Sequence, residues 1–143
     1  QFSNVGTSGS KVKFSPMVRF HNDHCLANDL NAMTVRLQKC QQNQNQHFQI
    51  HNGKIMSEDG KFCLGSTAIN SVNLSKCVDG DLSQRWELDN EDGYIENVYT
   101  SRYLGLSSCD IADDISLKLV DPSNIGSSFC EEGLRWRAYV SQD

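Results

Sequence analysis

The chain has 143 residues, 18 of them acidic and 13 basic, for a net charge of -5 at neutral pH. That length suits one domain. The acidic balance argues against a general binder of nucleic acid or anionic membrane, which needs a basic face to release counterions. Hydrophobic residues are 38% of the chain and aromatics 8%, so the core must be spread thinly. No apolar run approaches the roughly 18 residues of a bilayer span, so no membrane insertion is expected. No leader segment is visible. The sequence is therefore read as a chain whose leader was removed or as a domain cut from a longer protein.

In chain order, Gln1 to Ser10 is rich in Ser, Gly and Asn. Residues 1–12 are expected to be a flexible arm, and organised sequence to begin near Lys13. The rest reads as about twelve short strands in three sets of four. The first strand of each set is expected at Met17–Phe20, Lys54–Met56 and Tyr94–Glu96. The second falls at Cys25-Leu26, Phe62–Leu64 and Tyr103–Leu106. The third is Thr34–Leu37, Ser71–Leu74 and Ile115–Leu119. The fourth is Phe48–Ile50, Trp86–Leu88 and Trp136–Val140. These segments mostly alternate apolar with polar and favour β-branched and aromatic residues. Asn52-Gly53, Asp59-Gly60, Asp79-Gly80 and Asp92-Gly93 mark turns between them. No helix is expected.

The spacing makes these sets copies of one unit. Cys25 to Phe48 and Cys63 to Trp86 are both 23 positions, and Cys25 to Cys63 is 38. Cys63 to Tyr103 is 40. A period near 40 means stacked units, none of which buries its apolar face alone. The copies span about 13–51, 52–89 and 90–140, within one domain at 13–143. The closing aromatics Phe48, Trp86 and Trp136 occupy equivalent places, which argues for a shared core rather than exposed ligand-stacking rings.

Six cysteines at repeating spacing read as a disulfide framework made in an oxidising compartment. The repeat selects Cys25–Cys40 and Cys63–Cys77, and leaves Cys109–Cys130 for copy three. Each bridge closes a short loop and removes roughly 3 kcal/mol of unfolded-state entropy. No cysteine pair has the close spacing that zinc sites favour. Asn73-Leu74-Ser75 is a glycosylation sequon, consistent with secretion. Copy three departs from the pattern. Tyr103 replaces the first cysteine, and Tyr103 to Trp136 is 33 positions. The extra residues fall near Asp121–Glu132, a loop that Cys109–Cys130 would staple.

The threefold pattern has a Cys-Leu opening, a V-x-L-x-K-C middle at Val72–Cys77 and a Q-x-W close. It resembles the ricin B-type β-trefoil lectin domain over roughly Lys13 to Val140. Gln84-Arg85-Trp86 matches the closing triplet fully. Gln46-His47-Phe48 has Phe for Trp, and Leu134-Arg135-Trp136 keeps only the Trp. Cys63-Leu64-Gly65, the Lys76-Cys77 ending and the irregular third copy are also similar to the cysteine-rich domain of mannose-receptor-like proteins.

The resemblance implies an all-β trefoil and a galactose-type pocket. In that pocket an Asp stands two positions after the first cysteine, and Asn-Gln begins the closing triplet. Here the Asp position holds Ala27, Gly65 and Gly105. Copy one keeps Asn45-Gln46, with Asn28 and Asp29 just past the missing Asp. A shifted sugar site is therefore expected at Asn28, Asp29, Asn45 and Gln46. Copy two keeps Gln84 but has Ser83, and copy three has Gly133 and Leu134. In the mannose-receptor domain a Trp just before the closing triplet of the third repeat serves sulfated sugars. Glu131-Glu132-Gly133 stands there instead, which loses the ring and repels sulfate.

Two other clusters gather polar and ionisable residues. Asp110, Asp113 and Asp114 could hold calcium or sugar hydroxyls; the simpler reading is a solvated loop beside Cys109. His21, Asp23 and His24 could suggest a metal; the simpler reading is a turn between strands. Neither a metal nor a cofactor is expected. No nucleophile or carboxylate pair points to catalysis.

The expected function is non-enzymatic binding of glycans or glycoproteins, in the extracellular space or on a cell-surface ectodomain. One alternative is a protein-interaction module whose sugar sites have decayed, with the Asp121–Glu132 loop as its contact surface. Another is the targeting domain of a larger receptor or toxin.

Overall fold

The structure is a computed structural model, and it describes residues 11–17, 23–107, 114–124 and 135–140. Twelve strands run in chain order. Copy one holds β1 (Val12–Pro16), β2 (His24–Asp29), β3 (Thr34–Lys39) and β4 (Phe48–His51). Copy two holds β5 (Lys54–Ser57), β6 (Phe62–Ala68), β7 (Ser71–Lys76) and β8 (Trp86–Leu88). Copy three holds β9 (Ile95–Asn97), β10 (Tyr103–Leu106), β11 (Asp114–Val120) and β12 (Trp136–Val140). The helical pieces among the described residues are single 3-10 turns at Gln44–Gln46, Leu82–Gln84 and Pro122–Asn124. The fold is a β-trefoil.

The first and last strands of each copy build a barrel. β1 pairs with β12 and β4, β4 with β5, and β8 with β9, all antiparallel. The Trp86 and Trp136 backbone N–H groups donate to the Gly53 and Gly93 carbonyls, each at 2.8 Å. These equivalent bonds tie β8 and β12 to the starts of copies two and three, which covers edges that would otherwise stay exposed. The Asn52-Gly53 turn joins β4 to β5 with φ of 51° and 78°, the left-handed pair that a two-residue hairpin requires. A Cβ on Gly53 would also meet the Trp86 carbonyl oxygen at 3.2 Å.

The middle strands form three hairpins that cap the barrel. Their registers coincide: Leu26 faces Leu37, Leu64 faces Leu74, and Leu104 faces Leu119. All six leucines are buried, as are Phe14, Ile55 and Ile95 in the barrel. The hairpins also bond one another, Leu74 N–H to Met33 O at 2.8 Å and Leu119 N–H to Asn70 O at 3.1 Å. Phe48, Trp86 and Trp136 are at most 3% exposed. They are core residues, as their equivalent positions implied.

One strand lies elsewhere than expected. β1 is Val12–Pro16, not Met17–Phe20, so Val12 belongs to the barrel and not to the expected arm. Ile55 and Ile95 precede Cys63 and Tyr103 by 8 positions, but their counterpart Phe14 precedes Cys25 by 11. Copy one has three extra residues at this connection, so the repeat spacing points too far down the chain. Of the expected disulfides, Cys25–Cys40 and Cys63–Cys77 are formed. Cys109 and Cys130 lie outside the described residues.

Candidate functional site

Copy one carries a cleft on each side of a shared wall made by Asn28 and Asn45. The first, about 370 Å³, is closed by Leu30, Gln44 and the turn Ser57-Glu58-Asp59. The second, about 340 Å³, is closed by Asp29, Leu30, Asn31 and Gln38. β2 delivers Asn28 at its end, and the 3-10 turn Gln44–Gln46 delivers Asn45.

The asparagine amides are unusual. Asn28 is 7% exposed, and no described residue hydrogen-bonds its side chain. The Asn45 Oδ1 is buried and has no partner among the described residues. A buried amide oxygen left without a hydrogen bond, as at Asn45, costs about 1–3 kcal/mol. Asp29 stands at the rim, its Oδ1 accepting from the Asn31 and Ala32 N–H groups at 3.0 and 3.1 Å. That turn fixes the carboxylate at the tip of the β2–β3 hairpin. Leu30, 44% exposed, supplies the apolar surface.

The opposite rim is acidic and ordered. Glu58 Oε2 lies 2.7 Å from His47 Nδ1. Asp59 accepts from the Ser57 hydroxyl at 2.6 Å and from the Lys61 N–H at 3.0 Å. The Ser57 hydroxyl bond, followed by the Lys61 N–H, holds the Asp59 carboxyl below the usual carboxylate range. Among the described residues, no lysine or arginine lines either cleft.

Gln46, expected in the pocket, is 1% exposed and turned inward. Its Nε2 donates to the Lys39 carbonyl at 2.8 Å, and its Oε1 accepts from the Gln41 N–H at 2.7 Å. Gln84 does the same in copy two, donating to Lys76 O and accepting from the Val78 N–H. Each glutamine spans the backbone around the second cysteine of its copy. Both amides are committed to the fold.

Asp114 lies on β11 and pairs with Arg36 Nε of copy one at 2.5 Å. Asp110, Asp113 and His21 lie outside the described residues. His24 is buried in β2 with Nδ1 2.8 Å from Asp23. Asn73 of the sequon lies on β7, where its Nδ2 donates to Thr67 Oγ1 at 2.6 Å.

Copy two offers a different cleft, about 470 Å³, lined by Ser66, Thr67, Ala68, Ile69, Tyr99 and Thr100. None of these stood out in the sequence. The available signal was an aromatic and an isoleucine in two turn segments, where an apolar side chain has no core to enter.

The three hairpins, the repeated Gln staples and the buried closing aromatics together match one known pattern. Residues 14–125 match the ricin-type beta-trefoil lectin domain. The chain belongs to that family.

A comparison with curated proteins found no match. Among solved structures, this ricin-type domain is similar to the Vibrio vulnificus hemolysin/cytolysin β-trefoil lectin with N-acetyl-D-lactosamine bound. The TM-score is 0.70 at 15% identity, covering 94% of this chain and 96% of the other. The earthworm R-type lectin C-half in complex with GalNAc gives a TM-score of 0.70 at 8% identity, covering 92% and 99%. A non-toxic homologue of type II RIPs from Momordica charantia, in complex with α-methyl-D-galactoside, gives 0.66 at 21% identity, covering 91% and 48%. At these identities the likeness speaks for the fold.

Proposed function

We propose that this domain is an extracellular lectin that binds neutral glycans in copy one, against Asn28, Asn45 and Asp29. The observation that carries the reading is the pair of side-chain amides at one cleft whose hydrogen-bonding capacity the protein leaves unspent. Sugar hydroxyls both donate and accept, so they suit a carboxamide pair beside a carboxylate. Leu30 supplies the apolar face that the family's pocket takes from an aromatic. The acidic rim disfavours sulfated or sialylated ligands. The two formed disulfides fit an oxidising compartment. No helix among the described residues is long and apolar enough to cross a membrane. The sugars held by the similar structures are galactose-type and guide the choice of probes. A pocket with so few polar contacts binds weakly, so avidity would come from several sites or several domains.

The test is a glycan array with the oxidised domain presented multivalently, with and without calcium, beside Asn28→Ala and Asn45→Ala variants. The expected result is a coherent set of neutral hits, lost in both variants, whose thermal unfolding stays near that of the parent. Loss of signal in chelator would bring Asp110, Asp113 and Asp114 into the site. A blank array with a folded domain would sink the lectin reading in favour of a protein partner.

A further inference from the structure

We propose a second saccharide site in copy two, with Tyr99 as its stacking platform and an uncharged lining selective for a neutral pyranose. The proposal rests on the lectin reading above but uses a different cleft and different residues.

The repeat places the two clefts in equivalent positions. Ser66 faces Val72 as Asn28 faces Val35. Asn97 faces Trp86 as Ser57 faces Phe48. The turn after β9, which carries Tyr99 and Thr100, therefore stands where the turn after β5 carries Glu58 and Asp59. The same concavity recurs, with Val98 and Tyr99 in the register places of Glu58 and Asp59 and Thr100 in that of Gly60, so the acidic rim is gone. It is not the galactose-type pocket transferred to copy two. At the missing-Asp position, a Cβ on Gly65 would meet Ser83 O at 2.9 Å and Gln84 Cγ at 3.0 Å. That side of the copy is closed.

The lining is suited to a sugar in three respects. Tyr99 is 71% exposed and Ile69 58% exposed, at the two sides of the cleft. Tyrosine gives a large, rigid, amphipathic contact with few torsions to freeze. The hydroxyls beside it are held in place. Thr67 Oγ1 accepts from Asn73 Nδ2 at 2.6 Å, which leaves its O–H free to donate outward. Thr100 Oγ1 donates to Asn97 Oδ1 at 3.1 Å and accepts from the Arg102 N–H at 3.3 Å, which leaves it one lone pair to accept. A β-bulge between Ser66 and Ala68 sets Thr67 out of the ladder, as bulges do where a side chain is re-aimed. Finally, no charged side chain among the described residues lines the cleft, so an ionic ligand would find no counter-charge there. A ligand with one apolar face and both donors and acceptors, without charge, is a neutral pyranose.

The test is a residue-resolved NMR titration of the ¹⁵N-labelled domain with N-acetyl-D-galactosamine and with α-methyl-D-galactoside. Parent, Tyr99→Ala, Tyr99→Phe and Asn28→Ala proteins are compared. The expected result is two separable sets of shifts. Those at Ser66–Ile69 and Tyr99-Thr100 weaken at least about tenfold in Tyr99→Ala, survive largely in Tyr99→Phe, and titrate normally in Asn28→Ala. Shifts confined to copy one, with Tyr99→Ala titrating as the parent does, would overturn the second site and leave the lectin reading standing. An absence of shifts at both clefts with both probes, together with a blank array, would overturn both. Tyr99 is exposed, so a dispersed spectrum is expected for its variants and confirms that they fold.

Discussion

The side-chain amide of Gln84 donates to the carbonyl oxygen of Lys76 at 2.8 Å, one residue before the half-cystine Cys77. It also donates to Ser75 Oγ and accepts from the Val78 N–H, so both ends of the amide are satisfied by protein. Gln46 repeats the arrangement around Cys40. These glutamines look like ligand-binding residues because they are polar and recur, yet they pin the disulfide-bearing strands to the 3-10 turns. Gln84→Ala and Gln46→Ala should each cost about 1–3 kcal/mol, because buried backbone groups lose their partners. Neither should change glycan affinity in the folded fraction. Denaturant unfolding beside a binding titration at a temperature where both variants are folded checks this. Lost binding with unchanged stability would place the amides at the ligand after all.

The indole N–H of Trp86 donates to Leu64 O at 2.9 Å, and that of Trp136 to Leu104 O at 3.0 Å. Both bonds run from the closing strand of a copy to its capping hairpin. Trp86→Phe removes the donor but keeps much of the ring, and should cost about 1–3 kcal/mol through the unpaired carbonyl. Trp86→Ala should cost about 3–5 kcal/mol and unfold the domain. If the rings were sugar platforms, Trp86→Phe would lower glycan affinity and leave the unfolding midpoint in place.

The repeat was legible because each copy solves one packing problem with like residues. The three Leu–Leu hairpin pairs and the three closing aromatics recur at spacings that can be counted. The place of β1 was not legible, because three additional residues before Cys25 break the count without changing the composition. At the candidate site, Asn28, Asp29 and Asn45, to which the resemblance directs attention, line adjoining clefts of copy one. The inward turn of Gln46 was not legible, since sequence does not show which end of an amide meets backbone. The copy-two cleft was missed because its residues, Thr67, Ile69 and Tyr99, carry no motif. Their meaning comes from two turns meeting in space.

Glu87 and Glu96 stand directly opposite one another on β8 and β9. Burial, and then the charge of Glu87, raise the Glu96 carboxyl above its usual range. A carboxyl raised in the folded state is held more tightly protonated there than in the unfolded chain. Its ionisation therefore costs stability, and that cost appears as pH rises through the carboxyl range and persists at neutral pH. Glu96→Gln should accordingly stabilise the domain at pH 7, at the low end of the 0.2–1 kcal/mol range of about one cross-strand pair. The gain should fade as pH falls through about 4.3, where the unfolded glutamate protonates. Thermal unfolding of parent and variant across that range reads it. A gain that grew toward acid pH would contradict the sign.

The missing carboxylate of copy two is a packing outcome. Gly65 faces Asn73 across the hairpin, and a Cβ there would approach Ser83 O to 2.9 Å and Gln84 Cγ to 3.0 Å. Ser83 O also accepts from Asn97 Nδ2 at 2.9 Å, so it is not free to retreat. Copy one differs, because Ala27 already fits a Cβ at the same register. Gly65→Ala should therefore cost about 1–3 kcal/mol, the usual range for overpacking. Gly65→Asp should cost more, because it adds a buried carboxylate to the clash, and should not create a galactose-type pocket. Denaturant midpoints for the two variants, with a sugar titration on whichever stays folded, decide the matter. A Gly65→Ala protein as stable as the parent would mean that β6 and the Leu82–Gln84 turn have room between them, and the family's pocket in copy two would then be open to repair.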